Sequence, residues 1–246
     1  MIYDCHCHLD VYSDEKIAKV IKNAIKNKIG VIIINSVNLK TLKRIFELAH
    51  KYPLIKIAAG LYPEENLDLK KYHEFEKFVR EHKKHIIAIG EIGLDSTEKL
   101  NLKIQEQIFR KQLDLAQELN LPVMVHSRKQ ESEVIEILNQ YPNLIKILHC
   151  FCGKLKLLEQ VDKNTYFSIP TNVVRSEHFQ KMLLILPKDR FLTETDTPFL
   201  SPYKDIRENE SGFIVESIKI IAKLWKFPKK KTEKQLEDNF KWIFME

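Results

Sequence analysis

Eight short runs rich in β-branched and aromatic residues, separated by longer segments with helical spacing, predict an α/β protein: a (β/α)8 TIM barrel forming one domain over residues 1–246. Three observations carry that prediction. The runs alternate with helical segments of about 15 to 20 residues, as parallel strands joined by crossover helices do. They are apolar on both sides, as strands are when helices cover one face and packed side chains fill the other. Divided among eight units, the chain allots each about 30 residues, which suits a compact barrel. A doubly wound open sheet is the second reading of the same pattern.

The first run is Ile2-Tyr3, and the segment after it sets Ile17, Val20, Ile21, Ala24 and Ile25 on one helical face. The second is Val31-Ile32-Ile33-Ile34 and the third Ile55-Lys56-Ile57-Ala58, which runs into Gly60-Leu61-Tyr62-Pro63. Ile86-Ile87-Ala88-Ile89 is the fourth, followed by Gly90-Glu91-Ile92-Gly93-Leu94-Asp95. A helix marked by Ile104, Ile108, Leu113, Leu115, Ala116 and Leu119 leads to the fifth, Val123-Met124-Val125, which ends in His126-Ser127-Arg128. The sixth, Ile145-Lys146-Ile147-Leu148, ends in His149-Cys150-Phe151-Cys152. Tyr166-Phe167-Ser168 and Phe191-Leu192-Thr193 complete the set, the last running into Glu194-Thr195-Asp196-Thr197-Pro198.

Composition narrows the function classes. With 44% hydrophobic and 30% charged residues of mixed sign, the chain reads as an ordinary globular protein. No apolar run approaches the ~18 to 20 residues of a membrane span, and the first residues lack a signal-peptide pattern, so a cytoplasmic location is expected. The four cysteines fall in two close pairs, too few for a disulfide scaffold, and are expected as reduced thiols. A formal charge of +6 favours the approach of an anionic substrate without identifying a nucleic-acid binder. The densest basic run, Lys229-Lys230-Lys231, reads as solvated surface. No Gly-x-Gly-x-x-Gly or Walker-type lysine loop supports a dinucleotide or P-loop site. There is no internal repeat or low-complexity linker, and since no helix presents a large apolar outer face the oligomeric state is left unknown, with a monomer as the default.

Functional residues of a barrel gather at the C-terminal ends of its strands. The first strand ends in His6-Cys7-His8, so that five of the six strand endings carry an imidazole or a carboxylate, and His6, His8, Glu91, His126, His149 and Asp196 together make the ligand inventory of a two-metal hydrolase. A carboxylate such as Glu91 can bridge two divalent cations. Asp196 can bind a metal through one oxygen and orient or deprotonate water with the other. Glu194 reads equally as a supporting partner or a surface residue. Arg128, beyond His126, suits bidentate binding of a phosphate, against an ordinary loop salt bridge. The remaining histidines, His50, His73, His82, His85 and His178, read as helix-surface residues.

The stretch Cys5-His6-Cys7-His8 poses a choice, because a strand sends alternate side chains to opposite faces. His6 and His8 share one face, Cys5 and Cys7 the other. A Cys-x-Cys pair fits zinc-site spacing poorly, whereas two histidines at i and i+2 can both reach one ion. The histidines are therefore favoured and the cysteines read as buried in the strand-helix layer, although these six residues alone also allow a purely structural role for all four.

Taken together, "DCHCHLD" at 4–10, "GLYPE" at 60–64, "GEIGLD" at 90–95, "LPVMVHSR" at 121–128, "LHCFCG" at 148–153, "LTETDTPFLSP" at 192–202 and "NFKWIF" at 239–244 resemble the TatD family of metal-dependent hydrolases, among the amidohydrolase-like TIM barrels. The resemblance spans nearly the whole chain. It implies a two-metal phosphodiesterase, often a deoxyribonuclease, in which His6, His8 and Asp196 hold one ion, Glu91 bridges, and His126 and His149 hold the second. Zinc, manganese, magnesium, iron and nickel all suit such ligands. Two departures stand out. Tyr62 occupies the place of a family histidine near the substrate phosphate, and it can donate a hydrogen bond but carries no positive charge. Cys152 replaces the serine of the family's His-Cys-Phe-Ser-Gly pattern; in addition, Asn209 lacks the proline usual two residues on, and no paired aromatics follow Asp95.

The leading expectation is metal-dependent hydrolysis of phosphodiester bonds, with DNA as partner and Asp196 handling the proton of the attacking water. A second keeps the barrel and metals but cleaves a carboxylic ester or amide, for example in deacylation of a charged tRNA, since fold does not fix substrate. A third is a non-catalytic nucleic-acid-binding relative; the complete ligand set argues against it and Tyr62 for it.

Overall fold

The computed structural model describes residues 1–63, 67–97 and 101–245. Its strands are β1 (Ile2–Cys7), β2 (Ile29–Asn35), β3 (Ile55–Ala59), β4 (Ile86–Gly93), β5 (Val123–His126), β6 (Lys146–His149), β7 (Thr165–Ile169) and β8 (Phe191–Thr193). They form one parallel sheet in chain order, with β1 packed on β8, and helices alternate with them: the nearly closed (β/α)8 barrel that the periodicity predicts. The helices are α1 (Asp14–Lys26), α2 (Leu39–Lys51), α3 (Leu69–His82), α4 (Leu102–Leu119), α5 (Glu131–Leu138), α6 (Glu177–Ile185), α7 (Ile214–Trp225) and α8 (Lys229–Phe244).

Two strands run further than their apolar cores. β1 continues through Cys7 and β4 through Gly93, so His6 and Glu91 are strand residues. The link from β6 to β7 differs from expectation, since it holds a 3-10 turn, Leu155–Glu159, in place of a helix. The loop through Gly153 occupies the start of that segment. An Asp162 turn occupies its end, where Asp162 accepts from the Asn164 amide and the Thr165 hydroxyl.

Two compact units make up the packing. The first comprises Met1–Ile34, Tyr52–Ile55 and Phe167–Glu246. Its α1 starts at a Ser13 cap, whose hydroxyl accepts from the Lys16 amide, and buries Ile17, Val20, Ile21 and Ala24. α8 packs on β1 and β8 through Leu236, Phe240 and Ile243, and the Phe240 ring stacks on Tyr3 at 4.2 Å. Removing a phenyl ring so buried costs about 3–5 kcal/mol. The Lys229-Lys230-Lys231 run forms the exposed first turn of α8.

The second unit comprises Asn35–Lys51 and Lys56–Tyr166. Its centre is β4, β5 and β6 in register, covered by α4. α4 starts at an Asn101 cap and ends at Asn120 in a left-handed conformation, which asparagine tolerates better than most residues. Its buried face includes two glutamines, Gln105 and Gln112, seven residues apart and so on one side of the helix. Among the described residues no helix is long and apolar enough to cross a membrane.

Candidate metal centre

In the first unit, β1 supplies His6 and the turn after it His8, while the end of β8 supplies Asp196. The Nε2 atoms of His6 and His8 lie 3.2 Å apart, and Asp196 Oδ1 is 3.6 Å from the first and 3.7 Å from the second. His6 is fully buried, and the other two side chains are slightly exposed. Two backbone bonds join the strand ends: the Asp196 amide donates to the His6 carbonyl at 3.0 Å, and the His8 amide to the Thr197 carbonyl at 2.8 Å.

In the second unit, Glu91 lies near the end of β4, and β5 and β6 end in His126 and His149. Glu91 Oε1 lies 2.7 Å from His149 Nε2 and 3.0 Å from His126 Nδ1, and the two ring nitrogens are 3.2 Å apart. The far nitrogen of His126, Nε2, is held at 2.9 Å by Asp95 Oδ2. Asp95 Oδ1 in turn accepts from the Thr97 amide and hydroxyl at 2.7 and 2.5 Å. Burial draws the His126 imidazolium down, but its bonds to Asp95 and Glu91 outweigh that and raise it to about 9. Burial likewise pushes the Asp95 carboxyl up, and the His126 and Thr97 bonds reverse this and hold it well below the usual carboxylate range.

Backbone geometry allows this crowding. Gly93 has φ +144, and a Cβ there would collide with the His126 carbonyl, so only glycine lets β4 pass β5 this closely. A Cβ on Gly60 would strike the Glu91 backbone. The two buried glutamines of α4 clamp the strand ends. Gln105 exchanges two hydrogen bonds with the Asp95 backbone, at 3.0 and 2.9 Å, and Gln112 two with Leu61, at 2.8 and 3.2 Å.

The Tyr62 hydroxyl lies 3.2 Å from His126 Nε2, so this tyrosine touches one of the candidate ligands. Arg128 is exposed at the loop after β5. Glu64, the last residue of the Gly-Leu-Tyr-Pro-Glu motif, lies outside the described residues. Glu194 is fully buried and accepts from Ser168 Oγ at 2.5 Å, which removes the surface reading. All four cysteines are free thiols. Cys5 and Cys7 are fully buried, burial pushes both thiols up, and Cys7 donates to the Ile33 carbonyl. No cysteine joins a metal-competent cluster among the described residues. His50, His73 and His85 are exposed, and His82 and His178 are half-buried on helices.

Sequence reasoning missed Asp95, Asp4, Gln105 and Gln112 as parts of the site. Asp95 sat inside the quoted motif, and its place two residues after a glycine at a strand end was the available signal. Asp4 is a fully buried carboxylate on β1, pushed up to about 7 by burial against its hydrogen-bonding neighbours. No local pattern marks either glutamine.

Both groups fit divalent ions. Ligand atoms ~2.0–2.1 Å from a tetrahedral ion lie about 3.3 Å apart, near the 3.2 to 3.7 Å within the His6, His8, Asp196 group. The tighter group around Glu91, at 2.7 to 3.2 Å, is nearer the ~3.0 Å between neighbouring ligands of an octahedral ion. His126 is also oriented as ligating histidines are, with one nitrogen facing the other ligands and the opposite one on a carboxylate.

Known proteins resemble this chain over nearly its whole length. The family model for TatD related DNase matches residues 3–245. An uncharacterized metal-dependent hydrolase of Methanocaldococcus jannaschii is 34% identical over 223 residues, covering 90% of this chain and 88% of its own. Deoxyribonuclease TATDN3 of Homo sapiens is 31% identical over 239 residues, covering 91% and 87%. Among solved structures, the TatD homologue YjjV from Escherichia coli K12 superposes with a TM-score of 0.92 at 22% identity over 100% of this chain and 98% of its own, a likeness of fold.

Proposed function

The chain belongs to the TatD related DNase family, and from that membership we propose that it is a divalent-metal-dependent hydrolase of phosphodiester bonds, with DNA as its substrate class. The observation that carries this reading is the convergence of Glu91, His126 and His149 with His126 locked by Asp95, because a buried imidazole so oriented is prepared to bind an ion. His6, His8 and Asp196 would hold one ion, and Glu91, His126 and His149 would hold a second. Residues 1–246 act as one catalytic domain, as a monomer in the cytoplasm.

Two bound divalent cations would supply an acidified water and neutralise charge on the scissile phosphate. The chain's residues do the rest. Asp196 orients the attacking water and takes its proton, which its partly exposed carboxylate can then release towards the leaving oxygen. Asp95 fixes the His126 ring so that Nδ1 faces inward throughout. Arg128 presents its exposed guanidinium to two oxygens of the phosphate in parallel hydrogen bonds. Tyr62 donates a hydrogen bond and adds no charge, so phosphate binding rests on Arg128 alone among these side chains.

The test is hydrolysis of single-stranded DNA beside a p-nitrophenyl carboxylic ester, by metal-free protein resupplied with magnesium, manganese or zinc. Metal-dependent release of nucleotides is expected. Ester cleavage without DNA cleavage would transfer the reading to a hydrolase acting at carbon, and activity unaffected by chelation would overturn it.

A further inference from the structure

Asp4 is a fully buried carboxylate that takes no part in the reaction described above. It sits on β1 two residues before His6, and both its oxygens accept from one residue of the segment after β8, with Ser211 and the His6 backbone also close to it. The Thr195 amide donates to Oδ1 at 2.9 Å, and the Thr195 hydroxyl to Oδ2 at 2.7 Å. Thr195 is itself fully buried and immediately precedes Asp196.

From Thr195 the bonds spread to both sides of Asp196. Its hydroxyl oxygen lies 2.9 Å from Thr197 Oγ1 and accepts from the Thr197 amide at 3.3 Å. Its carbonyl accepts from Asn209 Nδ2 at 2.7 Å, and the same amide group donates to Thr171 Oγ1 at 2.7 Å. Between these anchored residues Asp196 has φ +53, a left-handed conformation that aspartate tolerates better than most residues and that turns the chain sharply at this point. A bend at this residue decides where its carboxylate points.

We propose that Asp4 is a positioning residue: by clamping Thr195 it holds the left-handed turn at Asp196 and so aims the Asp196 carboxylate at the Nε2 atoms of His6 and His8. The inference rests on the reading of Asp196 as a metal ligand. A carboxylate suits the task because Thr195 offers two donors to two acceptor oxygens; an asparagine keeps one acceptor and sets its NH2 group against a donor. The contact is buried and doubly hydrogen-bonded, which holds the turn more stiffly than a single bond would.

The experiment titrates zinc alone into metal-free wild-type protein and into Asp4→Asn, Thr195→Val, Thr195→Ser and Asp196→Asn, each shown to be folded by its melting curve. Asp4→Asn and Thr195→Val are expected to weaken zinc binding by about 10- to 100-fold, the usual range for residues that orient a ligand. A variant combining Asp4→Asn with Thr195→Val binds zinc no more weakly than the worse of the two singles, because both break the same contact. Thr195→Ser, which keeps both donors, recovers most of the affinity. On bis(p-nitrophenyl) phosphate the same variants lower kcat more than they raise KM. Should Asp4→Asn not fold, Thr195→Val carries the test. Folded variants that bind zinc as wild type does, with at most a lower melting temperature, would show that Asp4 only stabilises the fold. The Asp196→Asn control separates the two levels: if it leaves zinc affinity intact, the ligand assignment itself falls, and if it alone weakens binding, only the positioning role does.

Discussion

The two ligand groups are held in different ways. Around Glu91, an acid touches a ligand directly: Asp95 grips the far nitrogen of His126, and Gln105 grips Asp95. Around His6 and Asp196, the acid works one step back, with Asp4 binding Thr195 and the main chain transmitting the constraint. A histidine ring has a second nitrogen by which it can be held, whereas Asp196 can be steered through its backbone once its oxygens face the ligand position. The difference teaches that rigidity at a metal centre is supplied wherever the ligand's chemistry leaves a handle.

The largest effect expected is on Asp196 itself. Asp196→Asn removes the proton acceptor and should lower turnover on single-stranded DNA by about 10²- to 10⁴-fold, with a melting curve close to wild type. Wild-type turnover in that variant would remove Asp196 from the mechanism. Next, Asp95→Asn should weaken zinc binding by about 10- to 100-fold, and combined with Asp4→Asn the losses should add, since each group has its own support. A combined loss no greater than either single loss would mean that the two groups do not act independently.

A smaller effect concerns the metal-free protein. His126 is raised to about 9 in the fold, above its ordinary 6.5, so its charged hydrogen bonds stabilise fully below pH about 6.5, and that contribution is lost as pH rises through about 9. Denaturant midpoints measured at pH 6.5 and 9.5 should fall at the higher pH, and Asp95→Asn should flatten the change; an equal fall in that variant would assign it to other groups. The smallest expected effect is on metal content when Cys5 and Cys7 are both replaced by alanine. Stability drops, by roughly 0.5–3 kcal/mol for each buried site, while metal analysis finds the same number of ions. A lost ion would return the thiols to consideration.

Much of the fold was legible because its signals are local. Eight apolar runs separated by helical periodicity mark all eight strands, and only the β6–β7 link departs, where a loop and an Asp162 turn leave room for one 3-10 turn. The ligand candidates were legible for the same reason: a histidine or carboxylate placed just beyond an apolar run is visible without coordinates. Glu194 was ambiguous because charge alone does not tell a buried acid from an exposed one. Tyr62 was read as a phosphate-side residue, and its contact with His126 depended on a neighbour 64 residues away.

By itself, then, the amino-acid order determined the strands, the helices and the kinds of atom offered at each strand end, since these follow from side-chain periodicity and from what each residue can donate or accept. Only the tertiary structure decided which nitrogen of His126 faces Glu91, which glycine lets β4 approach β5, and that Asp4 would accept hydrogen bonds from Thr195, 191 positions along the chain. Such pairings depend on sheet closure and on angles of a few degrees at buried hydrogen bonds, where the cost of an unmatched polar group selects one arrangement among many that the sequence pattern allows.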